Sequence, residues 1–181
     1  MRNILLLISM LGLLPAGCGR TVSDTDTVSC DTFVYSVKGG DSLRLDRYTD
    51  TPAAEIDAKK PCMIFVFGGA FISGTRDAES YRPFFEYMAR EQGYTVVSID
   101  YRLGLKEPLA AGKLSPETFP QLLPQTVLMA VEDLYDATSF VAGKSAEWGI
   151  DPARIVAKES YEVAEPTIDS HVVRLKSSSP D

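Results

Sequence analysis

At 181 residues the chain is long enough for one domain of modest size. Apolar residues make up 45% and charged residues 24%, the balance of a folded protein rather than a disordered one. A formal net charge of −7, with no run of Lys or Arg, argues against a nucleic-acid partner, because phosphate binding needs a basic face.

Arg2 precedes an apolar run, Ile4 to Leu14, which ends in Pro15-Ala16-Gly17-Cys18. A positive start, a short apolar stretch and small residues before a cleavage point describe a secretory signal over residues 1–17. The run is shorter than a comfortable membrane span. The competing reading is a buried N-terminal helix, but the segment lacks a cap and a polar face. Leu14-Pro15-Ala16-Gly17-Cys18 resembles a bacterial lipobox, with Pro15 at a position usually held by Leu. That resemblance implies acylation of Cys18 and a membrane anchor; ordinary secretion is the alternative. Residues 18–31, rich in Thr, Ser and Asp, read as a tether. If Cys18 carries lipid, Cys30 and Cys62 remain as an even pair. Export then favours a disulfide between them, with buried free thiols as the alternative.

Thr32 to Val37 and Leu43 to Tyr48 alternate in polarity around Gly39-Gly40-Asp41, which predicts an antiparallel hairpin. A polar loop follows. Cys62 to Phe67 is apolar without alternation, as in a strand covered on both faces, and Gly68-Gly69 ends it. A helix is predicted over Tyr81 to Gln92, with Pro83 in its first turn, Gly93 as its stop, and Phe84, Tyr87 and Met88 on its apolar face. Tyr94 to Ile99 reads as a second buried strand, ending in Asp100-Tyr101-Arg102. Leu103 to Gln125, broken by Pro108, Gly112, Pro116, Pro120 and Pro124, reads as a long irregular connection. The next helix runs from about Gln125 to Trp148, with Val127, Val131, Leu134, Ala137 and Val141 at helical spacing. Gly149 stops it, Asp151-Pro152 marks a turn, and Ile155 to Ala157 begins another strand.

This order predicts an α/β fold: an N-terminal antiparallel hairpin, then parallel strands joined by right-handed crossover helices. The folded domain is expected over residues 32–157. From residue 158 the chain turns polar, and 158–181 reads as a divergent tail. The sheet is expected to stop just as its central strand begins. An uncovered apolar edge at Ile155 would then favour self-association.

The segment Phe67-Gly68-Gly69-Ala70-Phe71-Ile72-Ser73-Gly74 resembles the HGGG-type loop of α/β-hydrolase esterases and lipases. Three neighbouring segments agree. Phe33 to Tyr48 resembles the opening hairpin of those enzymes, and Val96 to Leu103 resembles their next strand with its Asp-Tyr-Arg end. Asp133, Ala137 and Gly149 to Ile155 resemble the helix and turn leading to the nucleophile strand. The resemblance spans about Thr32 to Ala157 and implies a partial α/β-hydrolase fold from a carboxylesterase- or lipase-like protein. In such enzymes, backbone N–H groups stabilise the charge that develops on the ester carbonyl oxygen. By position Gly69 and Ala70 would donate, with Gly68 making the turn. Phe67 stands for the family's His and Ala70 for its third Gly, and both changes leave the main-chain donors in place.

Acyl transfer of this kind also needs a Ser on a tight Gly-x-Ser-x-Gly turn, a His to take its proton and an acid to orient the His. The resemblance places that turn just after Ile155, where the sequence reads Val156-Ala157-Lys158-Glu159-Ser160-Tyr161-Glu162. Ser160 is the candidate nucleophile, but Lys158 and Glu162 stand where the glycines belong. Ser145, in Gly143-Lys144-Ser145, falls within a predicted helix and reads as surface. His171 is the one histidine of the sequence and the candidate base; no acid is assigned among Glu162, Glu165 and Asp169.

The expectation is an exported carboxylic-ester hydrolase that is truncated and catalytically impaired. The alternative is a non-catalytic lipoprotein or binding remnant of the same fold. Its partners would be a small-molecule ester and, through the lipid, a membrane. No cofactor is expected, and with one His and no clustered Cys, no metal either.

Overall fold

The computed structural model describes residues 28–50, 59–160 and 173–174. Cys18, His171 and the three acid candidates lie outside them.

The hairpin forms as its pattern predicts: β1 (Ser29–Lys38) runs antiparallel to β2 (Asp41–Thr49). Its turn needs two residues at positive φ, which Gly39 (61°) and Gly40 (96°) supply without steric cost. β2 then pairs antiparallel with β4 (Thr95–Ile99). From there the sheet is parallel: β3 (Lys60–Val66) lies between β4 and β5 (Ile150–Glu159). The two-residue β6 (Val173–Arg174) pairs antiparallel with β5, giving the order β1-β2-β4-β3-β5-β6.

The continuously apolar β3 and β4 are explained by helices on both faces. Helix α1 (Arg82–Arg90) covers one face, where Phe85 packs with Tyr48, Met63, Phe65, Phe67 and Val96. Two short helices, α2 (Lys106–Ala110) and α4 (Ser145–Trp148), flank the long α3 (Phe119–Gly143). On the opposite face Ala137 and Val141 of α3 and Trp148 of α4 pack on Leu45, Ile64, Val97 and Ile155. The connection from β3 to β4 steps one way along the sheet, and that from β4 to β5 steps past β3 the other way. Crossovers of one hand that move in opposite directions must place their helices on opposite faces, as they do here.

Four sequence expectations are corrected. The apolar face of α1 is not Phe84–Tyr87–Met88: Phe85 and Ala89, one turn apart, are fully buried, while Tyr87 is 52% exposed. The irregular connection is shorter than expected, because α3 starts at Phe119 rather than near Gln125. Pro124 sits inside it. Losing that amide is tolerated because Pro120, whose carbonyl it would have served, is exposed. Val127 and Val131 face outward on α3, and the buried stripe is instead Thr126, Asp133, Ala137 and Val141. Two polar residues in that stripe hide it from a hydrophobicity pattern.

The fourth correction concerns the cysteines. Cys30 and Cys62 are free, the first exposed and the second buried. Cys30 lies on β1 opposite Tyr48, and Cys62 on β3 opposite Thr95, so β2 and β4 run between their strands. Three strand spacings of about 4.8 Å far exceed the Cα separation a disulfide allows. Cys62 also packs on the α3 face, while the thiol of Cys30 bonds to Tyr48 on the α1 face. Burial pushes the Cys62 thiol well above its ordinary range.

Among the described residues no helix is long and apolar enough to cross a membrane.

Candidate functional site

Strand β5 runs two residues beyond Ala157 and carries Lys158 and Glu159 in register with Phe65 and Val66. Ser160 follows at the strand end, where its backbone N–H donates to the Val66 carbonyl at 3.0 Å. Parallel pairing of β3 and β5 thus delivers Ser160 to the point where β3 opens into the loop Phe67–Gly74. The backbone N–H of Gly68 donates to Ser160 Oγ at 2.7 Å. The sequence candidates Ser160, Gly68, Gly69 and Ala70 are therefore brought together, while His171 lies outside the described residues.

The loop is built for close approach. A Cβ on Gly68 would stand 2.6 Å from the Ser160 carbonyl oxygen, and one on Gly69 would stand 2.1 Å from that of Ser73. Only glycine fits either place. Gly69 has φ 136°, and Ala70 (52°) and Phe71 (60°) continue in the left-handed region. Two successive non-glycine residues there are strained, and backbone strain of this kind gathers at functional sites. The turn closes through the N–H groups of Ile72 and Ser73, which donate to the Gly69 carbonyl at 2.9 and 3.2 Å. The N–H groups of Gly69 and Ala70 have no acceptor among the described residues.

Several contacts hold this geometry from outside. Tyr101 Oη donates to the Phe67 carbonyl at 2.8 Å, and its ring centroid lies 4.6 Å from that of Phe67. Burial, together with the negative charge of Glu159 and the nearby Tyr81 phenol, pushes Tyr101 up to about 12, so it remains a donor. The Leu105 N–H donates to the Phe71 carbonyl at 3.1 Å. Just past the loop, Arg76 reaches Asp46 (Nε to Oδ2, 3.0 Å) and Asp100 (2.9 Å), and Ser98 Oγ donates to the Arg76 carbonyl at 2.8 Å. Sequence reasoning missed this anchor. The strand's alternation gave no signal for it: Asp46 falls on the side of Arg44 and Tyr48, opposite Leu43 and Leu45, and it is buried because that side of β2 is covered as well.

Arg102 anchors the next segment. Its guanidinium meets the fully buried Asp133 at 2.8 Å, and its backbone N–H donates to the same carboxylate at 2.8 Å. Ser145 sits in α4, away from the loop, as expected. A cavity of about 510 Å³ borders the loop at Phe67 and Gly74, and its lining does not include Ser160, Gly69 or Ala70. No cluster of metal-ligating side chains occurs among the described residues.

The Gly69 and Ala70 N–H groups thus follow directly in the chain on the Gly68 N–H that meets the Ser160 hydroxyl, and donors without an acceptor can receive an oxygen that carries negative charge. The comparisons with known proteins agree in character. A family model described as "Carboxylesterase family" matches residues 16–111. Esterase 2 of Thermogutta terrifontis, solved phosphorylated by paraoxon, superposes with a TM-score of 0.53 at 27% identity, covering 72% of this chain and 42% of that one. A probable N-octanoylanthranilate hydrolase, AqdA2 of Rhodococcus erythropolis, is 36% identical over 48% of this chain and 19% of its own length. The non-reducing polyketide synthase trt4 of Aspergillus terreus is 34% identical over 55% of this chain and 4% of its own. The chain thus spans less than half the length of each of these relatives.

Proposed function

The chain belongs to the carboxylesterase family, and from that premise we propose that it is a carboxylic-ester hydrolase of the serine type whose turnover is impaired. Ser160 Oγ is the nucleophile, and the Gly69 and Ala70 N–H groups receive the oxyanion. The observation that carries this reading is Ser160 Oγ at 2.7 Å from the Gly68 nitrogen, next to two amides with no acceptor among the described residues. Attack forms the Oγ–carbonyl carbon bond and moves charge onto the carbonyl oxygen, where preorganised donors are worth on the order of a hundredfold in rate each. Impairment follows from the sequence, which has Lys158 and Glu162 where the family's Gly-x-Ser-x-Gly pattern has glycine.

Hydrolysis of short-chain nitrophenyl esters tests this. Turnover above that of Ser160→Ala is expected; equal rates for the two proteins overturn it. A second reading is a non-catalytic binder of esters on the same fold, favoured by Lys158, which stands at a glycine position of the family's turn and holds its ammonium 5.6 Å from the Phe84 ring centroid. Saturable binding of a short-chain ester without turnover would favour it.

The proposal includes export with a lipid on Cys18, supported by the Leu14 to Cys18 pattern. Incorporation of an alkyne fatty acid that is lost in Cys18→Ala is the expected result. It further includes self-association along β5, which β6 covers only at Val156 and Ala157 among the described residues.

A further inference from the structure

A single peptide unit carries a hydrogen bond on each of its two sides. Tyr101 Oη donates to the Phe67 carbonyl at 2.8 Å, and the Gly68 N–H donates to Ser160 Oγ at 2.7 Å. That carbonyl and that N–H belong to the bond joining Phe67 to Gly68, which is trans. A trans peptide is planar, so its C=O and N–H point in opposite directions. Fixing the oxygen therefore fixes the direction of the N–H. We infer that Tyr101 is a positioning residue: by holding the Phe67 carbonyl it aims the Gly68 N–H at Ser160 Oγ and so sets where that hydroxyl stands against the loop. The use made of the hydroxyl rests on Ser160 being the nucleophile.

The peptide has little else to orient it. Glycine leaves the backbone at residue 68 free to rotate, and no side chain fits there, since a Cβ would stand 2.6 Å from the Ser160 carbonyl oxygen. The other loop bonds lie farther along: the Ile72 and Ser73 N–H groups close on Gly69, and the Leu105 N–H holds Phe71. Around Ser160 Oγ, Tyr81 Oη stands at 3.5 Å, the limit of a hydrogen bond, so the Gly68 N–H is the tighter of the two contacts.

Tyr101, by contrast, is held from the rigid side. Its ring is buried, 4.6 Å from the Phe67 centroid and edge-on to Phe71 at 6.2 Å. The chain is tied on either side of it. Asp100 pairs with Arg76 at 2.9 Å, and the Arg102 N–H donates to the buried Asp133 at 2.8 Å. A phenol anchored in this way orients the peptide rather than following it. Its bond also polarises the peptide, which makes the Gly68 N–H a stronger donor.

The test follows Tyr101→Phe in the full chain, which keeps the ring and drops the hydroxyl. One readout is hydrogen exchange of the Gly68 amide by NMR. The other is fluorophosphonate labelling of Ser160, with the saturating rate separated from the half-saturating concentration. Exchange at Gly68 is expected to rise on the order of tenfold, as for one lost hydrogen bond, and to rise likewise in Ser160→Ala. The Ile64 and Phe65 amides of β3 should keep their protection. The double variant should exchange no faster than the faster single one, because both changes remove the same bond. The saturating labelling rate should fall on the order of ten- to a hundredfold at an unchanged half-saturating concentration. Tyr101→4-aminophenylalanine, which restores a donor, should recover both readouts. Unchanged Gly68 exchange in a folded Tyr101→Phe protein overturns the inference. So does a rise shared equally by Ile64 and Phe65, the mark of a purely structural tyrosine. If Tyr101→Phe does not fold, Tyr101→3-fluorotyrosine takes its place: its more acidic phenol is the stronger donor, Gly68 exchange should slow, and an unchanged rate overturns the inference. A wild-type chain that does not label at Ser160 sinks the ester-hydrolase reading alone, and Gly68 exchange then decides the aiming of the peptide by itself.

Discussion

A methyl group at Gly68 would stand 2.6 Å from the carbonyl oxygen of Ser160. The two residues come from adjacent parallel strands, and the absence of a side chain on one lets the other reach the loop. Gly68→Ala must therefore push the end of β5 away from β3. Overpacking of this kind costs about 1–3 kcal/mol. Denaturant melts should show that loss together with loss of fluorophosphonate labelling at Ser160; an unchanged midpoint would mean that the strand end moves freely.

Ala70 and Phe71 sit at φ 52° and 60°. A residue with a Cβ in this region costs about 1–2 kcal/mol, whereas glycine is nearly indifferent. Ala70→Gly is expected to raise stability by up to about 1 kcal/mol after the added chain entropy is discounted. Gly69→Ala should do the opposite and severely so, since its Cβ would lie 2.1 Å from the Ser73 carbonyl oxygen. Thermal melting of the two variants should move in opposite directions.

Asp133 is fully buried and is answered by the Arg102 guanidinium and backbone N–H. Removing the cation leaves a buried carboxylate without its counter-charge. Arg102→Met is expected to cost about 3–5 kcal/mol. The double variant Arg102→Met/Asp133→Leu should recover part of the loss, and a double variant no more stable than Arg102→Met would contradict the ion-pair account.

Several carboxylates are held below their ordinary range. Asp136 is lowered by its bond from Lys38, Glu132 by Arg102 and then Lys38, and Asp151 by Arg154. A carboxylate whose folded value is depressed contributes stability that is fully present above its unfolded value near pH 4 and lost as pH falls through the folded one. The melting temperature should hold across neutral pH and decline only on the acid side of about pH 4. Because Glu132 is exposed and Asp136 and Asp151 are partly so, high salt should flatten that decline. A decline that begins near neutrality would point elsewhere.

Much of the sheet was legible in the sequence because β-strand signals are local. The Gly39-Gly40 turn, the unbroken apolar runs of β3 and β4 and the Gly149 stop each depend on a few neighbouring residues. The loop Phe67–Gly74 was legible for the same reason. What escaped depends on partners far along the chain. The α3 stripe runs through Asp133, which is buried only because Arg102 meets it. The thiols Cys30 and Cys62 could be paired on paper until strand order put β2 and β4 between them. Ser160 looked displaced and poorly flanked, and it takes its meaning from Gly68, which a reading of the β5 segment alone could not supply.

The contact between Gly68 and Ser160 joins residues 92 positions apart. On a ribosome adding roughly 5–20 residues per second, that interval lasts on the order of 5–20 seconds. Throughout it β3 is already synthesised and can pair with β4 once that strand emerges, but its other edge stays open and its Cys62–Phe65 stretch lacks its neighbour. Strand order thus dictates a birth schedule in which β3 waits longest for its second neighbour, and a nascent chain stalled before residue 150 should be bound by a holdase that recognises exposed apolar chain.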